Sequence, residues 1–242
     1  TMSAFFQFTT MIISIPSVVI LTSFFISLWG GSIRFNTPML FALSFLPMFG
    51  IGGLTGLPLG VGASDIHLHD TYYVIGHFHY VVAPGTLFAL FAGIYYWFPK
   101  ATGKKLSETL GKLHFWTSLI FMNGVFMPMF IQGLAGVSRR MYDGGLQYAH
   151  ASDVLHWNEF MSISAFCLGL AQIPFILNFF MSLIAGEKVD RNPWKSTTIE
   201  WSAPSPPLPH INFEGPVEVY NGPYEYSVPG AKDDFSPQTQ KD

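Results

Sequence analysis

Two histidines separated by one residue are the side chains in this sequence best placed to do chemistry. They are His77 and His79, and they lie inside an uncharged apolar stretch over residues 72–98. An ionisable residue inside a membrane helix is costly and therefore indicates a functional site. On a helix of 3.6 residues per turn, positions i and i+2 are about 200° apart, so the two imidazoles leave in nearly opposite directions.

This spacing prevents the two rings from gripping one metal ion, but each ring can ligate a separate cofactor. Imidazole is a common axial ligand of heme iron. Two hemes flanking a helix about 10–12 Å wide would place their irons roughly 10–15 Å apart, which suits electron transfer. The competing interpretation is a pair of histidines that hydrogen-bond to neighbouring polar groups in a helix bundle.

A second cluster, His69-Asp70, precedes the same helix. An imidazole next to a carboxylate offers two ligands to a divalent cation such as magnesium, so a partner chain and water would have to complete the site. The alternative is that Asp70 caps the helix. Asp65 and His67 lie in the same loop and are weaker candidates.

Adjacent arginines, Arg139 and Arg140, follow the fourth apolar stretch. Guanidinium groups bind anionic groups in a bidentate manner, and heme propionates are groups of that kind. A solvated surface pair is the alternative.

The composition indicates an all-α membrane protein. Half of the 242 residues are hydrophobic and only 11% are charged, against about 25% in soluble domains. Five stretches are long and apolar enough to span a membrane, and they cover residues 5–29, 38–60, 72–98, 113–136 and 158–185. A net charge of -3 without a basic stripe excludes nucleic-acid binding, and the lone Cys167 excludes a disulfide framework.

Basic residues predict the orientation. Eight of those near the membrane fall on the side of the tail: Arg34, Lys100, Lys104, Lys105, Lys112, Lys188, Arg191 and Lys195. Only Arg139 and Arg140 fall on the other side, so the tail is expected inside. We therefore expect a membrane segment over 1–186 and an extended, proline-rich tail over 187–242.

The residues around the histidines resemble subunit I of heme–copper cytochrome c oxidases. The signature is Leu68-His69-Asp70-Thr71-Tyr72-Tyr73-Val74-Ile75-Gly76-His77-Phe78-His79-Tyr80-Val81. Supporting segments are Thr10-Met11-Ile12-Ile13-Ser14-Ile15-Pro16, Gly52-Gly53-Leu54-Thr55-Gly56, Gly133-Leu134-Ala135-Gly136-Val137-Ser138-Arg139-Arg140 and Asn192-Pro193-Trp194-Lys195. The match covers nearly the whole chain and corresponds to the last five of the family's twelve helices.

The resemblance implies a role for each candidate residue. His77 would be the axial ligand of the high-spin heme, at which oxygen is reduced beside copper, and His79 an axial ligand of the low-spin heme. His69 and Asp70 would bind magnesium with help from subunit II. The heme propionates would be held by Arg139, Arg140 and Asp65. The hemes are expected to be of the A type.

Two departures from the family pattern have consequences. The copper ligands, the cross-linked tyrosine and the second histidine of the low-spin heme lie on earlier helices, so this sequence is expected to be a fragment or one half of a split subunit. In the first span, Ile20 stands where many members have the lysine of a proton channel. Ser17 and Thr55 could still carry hydroxyl groups along that path, and we expect altered or rerouted proton delivery.

The function implied is that of a terminal respiratory oxidase. Electrons would pass from cytochrome c through the copper of subunit II to the low-spin heme and then to the heme–copper site, where oxygen becomes water and protons are translocated. Expected partners are the N-terminal part of subunit I, subunits II and III, cytochrome c and the lipid membrane, either the bacterial plasma membrane or the mitochondrial inner membrane. Alternatives are a quinol oxidase or nitric oxide reductase of the same superfamily, a transporter with a histidine proton relay, and a purely structural membrane subunit.

Overall fold

The structure, a computed structural model, describes residues 2–213, 215–227 and 234–241. Thr1 and the parts of the predicted tail at 214, 228–233 and 242 lie outside the described residues.

Helices account for most of the described chain, with one short strand pair. The elements in order are α1 (Met2–Leu28), α2 (Thr37–Gly60), α3 (Gly62–Leu68), α4 (Tyr72–Val82), a π-helical segment (Ala83–Phe88), α5 (Ala89–Thr102), β1 (Lys104–Lys105), α6 (Glu108–Leu134), a 3₁₀ turn (Ala149–Val154), α7 (Trp157–Leu170), α8 (Ile173–Ala185), β2 (Glu187–Lys188) and a second 3₁₀ turn (Ile199–Trp201). Strands β1 and β2 pair antiparallel, with Lys104 opposite Lys188.

Five helical stretches are long and apolar enough to cross a membrane, and they run over Ala4–Leu28, Thr37–Gly60, Tyr72–Thr102, Glu108–Leu134 and Trp157–Ala185. Their most apolar windows are at most 39% buried within the chain, so most of the apolar surface faces outward. Helices that are apolar all round are typical of a membrane interior. The prediction of an all-α membrane protein with five spanning helices is confirmed.

The ends of the spans differ from the sequence prediction for local reasons. The third span continues to Thr102 and stops at Gly103, whose φ of +68° is the left-handed conformation in which helices commonly end. The fourth span begins earlier than expected, at Glu108. The fifth is broken between Leu170 and Ile173, and Pro174, which lacks an N–H group, falls at a helix start where none is needed.

The chain divides into two compact units. The first contains residues 1–92 and 112–174, and the second contains residues 93–111 and 175–242. In the first unit α2 packs against α1 and α4. The fully buried Phe41 lies in an aromatic cluster there, with Phe88, Phe91, His114 and Phe115 around it.

In the second unit the start of the tail packs on the end of α5. Trp201 is 0% exposed, stacks on Trp97 at 5.6 Å between ring centroids, and donates its indole N–H to the Tyr96 hydroxyl at 2.7 Å. Lys100 donates to the carbonyl oxygen of Ala203 at 3.0 Å, and its ammonium lies 4.7 Å from the centre of the Trp201 ring. This group of contacts, the tail clamp, holds residues near 201–203 against the helix.

We expect Trp201→Ala to weaken the tail clamp by about 3–5 kcal/mol, the usual cost of deleting a fully buried tryptophan side chain. The tail should then be cut by trypsin at Lys195 much faster in the purified complex, because local release exposes that bond. Tyr224→Ala is the matched control, since Tyr224 lies in the same tail but is exposed. Equal cleavage rates for both variants would contradict the prediction.

Candidate functional site

Helix α4 begins at Tyr72 because Thr71 caps it. The Thr71 hydroxyl accepts a hydrogen bond from the backbone N–H of Tyr73 at 3.3 Å and donates to the carbonyl of Leu68 at 2.7 Å. Asp70, in the left-handed region at φ +56°, is not the cap. The capping alternative for Asp70 is therefore wrong, and its carboxylate is directed to other contacts.

The His77 imidazole is held by α2. Its Nδ1 atom lies 2.8 Å from the carbonyl oxygen of Gly52 and 3.3 Å from the hydroxyl oxygen of Thr55. A carbonyl oxygen only accepts, so Nδ1 carries the proton and Nε2 keeps its lone pair. Within the described residues, Nε2 of His77 has no hydrogen-bond partner.

Two glycines of α2 make room for this arrangement. A Cβ atom on Gly52 would lie 2.9 Å from the backbone of Tyr80 and Val81, and one on Gly56 would lie 2.7 Å from Cε1 of His77. Contacts below 3.0 Å are essentially never made by real Cβ atoms. Helix α2 therefore approaches α4 as closely as it does because these two positions have no side chain.

The His79 imidazole turns toward a different helix. Its Nδ1 donates to the carbonyl oxygen of Ile75, one turn back on α4, at 2.8 Å. Its ring stacks on Phe126 of α6, with 4.3 Å between centroids and 12° between planes. The two histidines thus leave α4 toward α2 and α6 respectively, in line with the separation expected for positions i and i+2.

Both rings have the form of a metal-binding histidine. A ligating imidazole usually donates its second ring N–H to a carbonyl or carboxylate, which sets the tautomer and orients the ring. His77 and His79 each make that bond through Nδ1 to a backbone carbonyl. Each residue therefore fits an iron atom bound through Nε2, on opposite sides of one helix.

The second cluster lies just before α4. Arg139 reaches Asp70 with a guanidinium nitrogen 2.5 Å from Oδ1, and His69 Nε2 is 3.5 Å from Oδ2 of the same carboxylate. The hydrogen bond from Arg139, above all, holds the pKa of Asp70 below its ordinary value, and the charges of Arg139, His69 and Arg140 act in the same direction. Asp65 lies 3.9 Å from His69, between Oδ2 and Nδ1.

This cluster does not form a complete metal site by itself. In the described ranges, no group of three or more His, Cys, Asp or Glu side chains could hold a metal ion. The structure places His69 beside Asp70, which would supply two ligands at most. The magnesium assignment stays a prediction that requires ligands from another chain and water.

The loop after α6 is fixed to the start of α4 by backbone pairing. The Tyr72 N–H donates to Val137 O at 3.0 Å, and the Arg139 N–H donates to Asp70 O at 2.8 Å. These bonds bring Arg139 to Asp70. The neighbouring Arg140 is exposed and has a left-handed φ of +66°.

The two hydroxyl residues proposed for a proton path are placed differently. Thr55 lies beside His77 and donates to the carbonyls of Ile51 and Gly52 at 2.8 and 2.9 Å. Ser17 is hydrogen-bonded within its own helix, to Ile13 O at 3.5 Å.

Sequence reasoning did not identify what orients each histidine. The Gly52–Gly56 run was noted only as part of the resemblance, although glycines four apart are a signal for close helix approach. Phe126 gave no signal, because α6 carries many phenylalanines and their partners depend on the register between α4 and α6.

Most of this chain is similar in sequence to known proteins of one family. A family model described as Cytochrome C and Quinol oxidase polypeptide I matches residues 1–190. Cytochrome c oxidase subunit 1 of Synechocystis sp. is 46% identical over 93% of this chain and 39% of that protein. The corresponding protein of Thermostichus vulcanus is 45% identical over 94% of this chain and 40% of its own length.

Two further proteins of the same kind are similar to this chain. The alternative cytochrome c oxidase subunit 1 of Bradyrhizobium diazoefficiens is 42% identical over 98% of this chain and 40% of its own length. A cryo-EM structure of a heme-copper terminal oxidase dimer is similar in fold, with a TM-score of 0.55 and 22% identity over 62% of this chain and 27% of that chain. The chain spans about two fifths of the length of these curated relatives.

We expect Gly56→Ala to displace the His77 ring, because the new Cβ would lie 2.7 Å from Cε1. On the expectation from the sequence that His77 ligates a heme, the purified complex should then lose most of the visible absorption of that heme. Gly53→Ala is the matched control on the same helix, since a Cβ there meets nothing within 4 Å. Indistinguishable spectra for the two variants would contradict the proposed packing.

Proposed function

This chain belongs to the cytochrome c and quinol oxidase polypeptide I family, and on that basis we propose that it forms part of the catalytic subunit of a terminal respiratory oxidase. The proposed enzyme takes electrons from cytochrome c, reduces oxygen to water and translocates protons. The observation that supports this most directly is the pair of imidazoles on α4, each with Nδ1 bonded to a carbonyl and Nε2 available.

In this proposal His77 is the axial ligand of a high-spin heme and His79 an axial ligand of a low-spin heme, both of the A type. The hemes, with copper held by residues outside this chain, supply one-electron transfer and oxygen reduction when bound. The chain itself orients the two ligating nitrogens. The Gly52 carbonyl fixes the tautomer and direction of His77, and the Ile75 carbonyl does the same for His79.

The cluster before α4 is proposed to serve the polar ends of the same cofactors. Arg139, Arg140 and Asp65 would contact heme propionates, and His69 with Asp70 would bind magnesium together with subunit II. The ion pair between Arg139 and Asp70 supports this because it gathers a cation and a carboxylate at one end of α4. Within a low-dielectric membrane, fixed groups of both signs are needed to meet the charges of iron and propionate.

Family membership supports a proposal for the partners and the location of this chain. We propose that the chain assembles with the N-terminal part of subunit I and with subunits II and III in a bacterial plasma membrane, its tail on the inner side. A mitochondrial inner membrane is the alternative. The basic residues concentrated on the tail side support this orientation.

A quinol oxidase is the second candidate, because the family's description covers both electron donors. The relatives named above are cytochrome c oxidases, which favours cytochrome c. Membership in this family argues against a proton-relay transporter and against a purely structural subunit.

We expect His79→Asn to abolish the low-spin heme signal in the visible spectrum of the purified complex, and His77→Asn to abolish the high-spin signal. The reason is that each variant removes the imidazole nitrogen proposed to ligate the iron on that side of α4. His210→Asn, an exposed tail histidine, is the control and should leave both signals intact. Retention of the low-spin signal in His79→Asn would refute the assignment.

We also propose that proton delivery along the path of Ser17 and Thr55 is altered, because Ile20 occupies the position of a channel lysine. Ile20→Lys should then increase proton uptake from the inner side, measured with a pH-sensitive dye in vesicles containing the complex. Val18→Lys, about 200° away on the same helix, is the control. A native complex that already takes up protons by a lysine-type route would count against this proposal.

A further inference from the structure

We propose that Phe126 is a positioning residue for the low-spin heme, and that its stack on His79 sets the rotational angle of the ligating imidazole plane. The inference rests on the proposed function, because it takes His79 as the ligand. It concerns a residue on α6 that neither composition nor motif singled out.

The stacking contact between Phe126 and His79 restricts the orientation of the imidazole plane. The rings of Phe126 and His79 are nearly parallel, 12° apart, with centroids 4.3 Å apart. Phe78 lies beside the same imidazole at 4.4 Å and 31°. The side-chain torsion that turns a histidine ring has a broad minimum, so the ring has no strong intrinsic preference for one angle. The hydrogen bond to Ile75 directs Nδ1, and the face-on contact with Phe126 then limits rotation about that direction.

Two other contacts between α4 and α6 hold the stack in register. The Tyr80 hydroxyl donates to Asn123 Oδ1 at 2.6 Å, and Tyr80 is fully buried. Near the other end of α4, Gly133 lies so close to Tyr73 that a Cβ atom on the glycine would overlap the Tyr73 backbone. Phe126 lies between Asn123 and Gly133 on α6, and His79 lies between Tyr73 and Tyr80 on α4. The antiparallel register of the two helices is therefore fixed on both sides of the ring pair.

His77 is held in a different way. Its Nδ1 is bonded to a carbonyl on another helix, with the Thr55 hydroxyl close by, and among the described residues no aromatic ring contacts its imidazole. The two ligands thus receive different surroundings: hydrogen bonds from α2 for one, and an aromatic face from α6 for the other. Groups around a ligating histidine tune the metal through ligand orientation and local polarity.

The test compares Phe126→Leu, Phe126→Met and Phe126→Tyr in the purified complex, with electron paramagnetic resonance and redox titration of the low-spin heme as readouts. Leucine and methionine keep an apolar side chain but remove the ring, whereas tyrosine keeps the ring. We expect full low-spin heme content in all three. The largest g value should shift and its line broaden in the leucine and methionine variants only, together with a shifted midpoint potential, because the imidazole then samples several angles.

Phe121→Leu is the matched control, since Phe121 is on the same helix, is half-buried, and within the described residues stacks on no histidine. Its g values should equal those of the native complex. The proposal is overturned if Phe126→Leu and Phe121→Leu give the same signal, or if both ringless variants fail to assemble while Phe121→Leu assembles, which would show that the ring serves packing alone. Failure of the ligand assignment is separable, because it would appear as a low-spin heme that persists in His79→Asn.

Discussion

The close approach of α2 to α4 is the constraint on which the candidate site depends. Without side chains at Gly52 and Gly56, the α2 backbone comes near enough for the Gly52 carbonyl to accept a hydrogen bond from His77 at 2.8 Å. That bond assigns the proton to Nδ1 and leaves Nε2 as a ligand. A backbone carbonyl cannot rotate independently of its helix. The packing of α2 on α4 therefore determines the direction of the His77 imidazole, and no flexible side chain is needed to orient it.

On the other side of α4, His79 is oriented by different contacts. His79 obtains its carbonyl from Ile75 within α4, and so needs no glycine on the facing helix. The facing helix α6 supplies an aromatic ring instead, and it is the close contact of Gly133 with Tyr73 that brings α6 near. One short helix of eleven residues thus carries two imidazoles with independent supports. A change in the packing of α2 would therefore affect one ligand before the other.

The spacing of the histidines and the apolar spans were sufficient to predict the helical membrane fold and the opposite directions of the two rings. Composition determines the membrane fold and the helical period determines the directions of the rings, and neither depends on how the helices pack. Capping by Asp70 was the alternative to metal binding, and the sequence could not exclude it, since Asp70 and Thr71 are both good capping residues and only the left-handed backbone at Asp70 decides between them. The pairing of Arg139 with Asp70 and of Phe126 with His79 joins residues far apart in the chain. No local pattern encodes such contacts.

The attachment of Lys100 in the tail clamp has a consequence for how the tail responds to its surroundings. Lys100 as a residue is 8% exposed, and its ammonium group is met by the carbonyl oxygens of Ala203 and Pro204 and by the face of Trp201, all three of them neutral groups. Dissolved ions weaken attraction between exposed charges over about 10 Å at 0.1 M, but they have little effect on a sheltered cation bound by dipoles and a ring. The tail should accordingly stay seated through the shifts in ionic strength that detach proteins held to a membrane by surface charge alone.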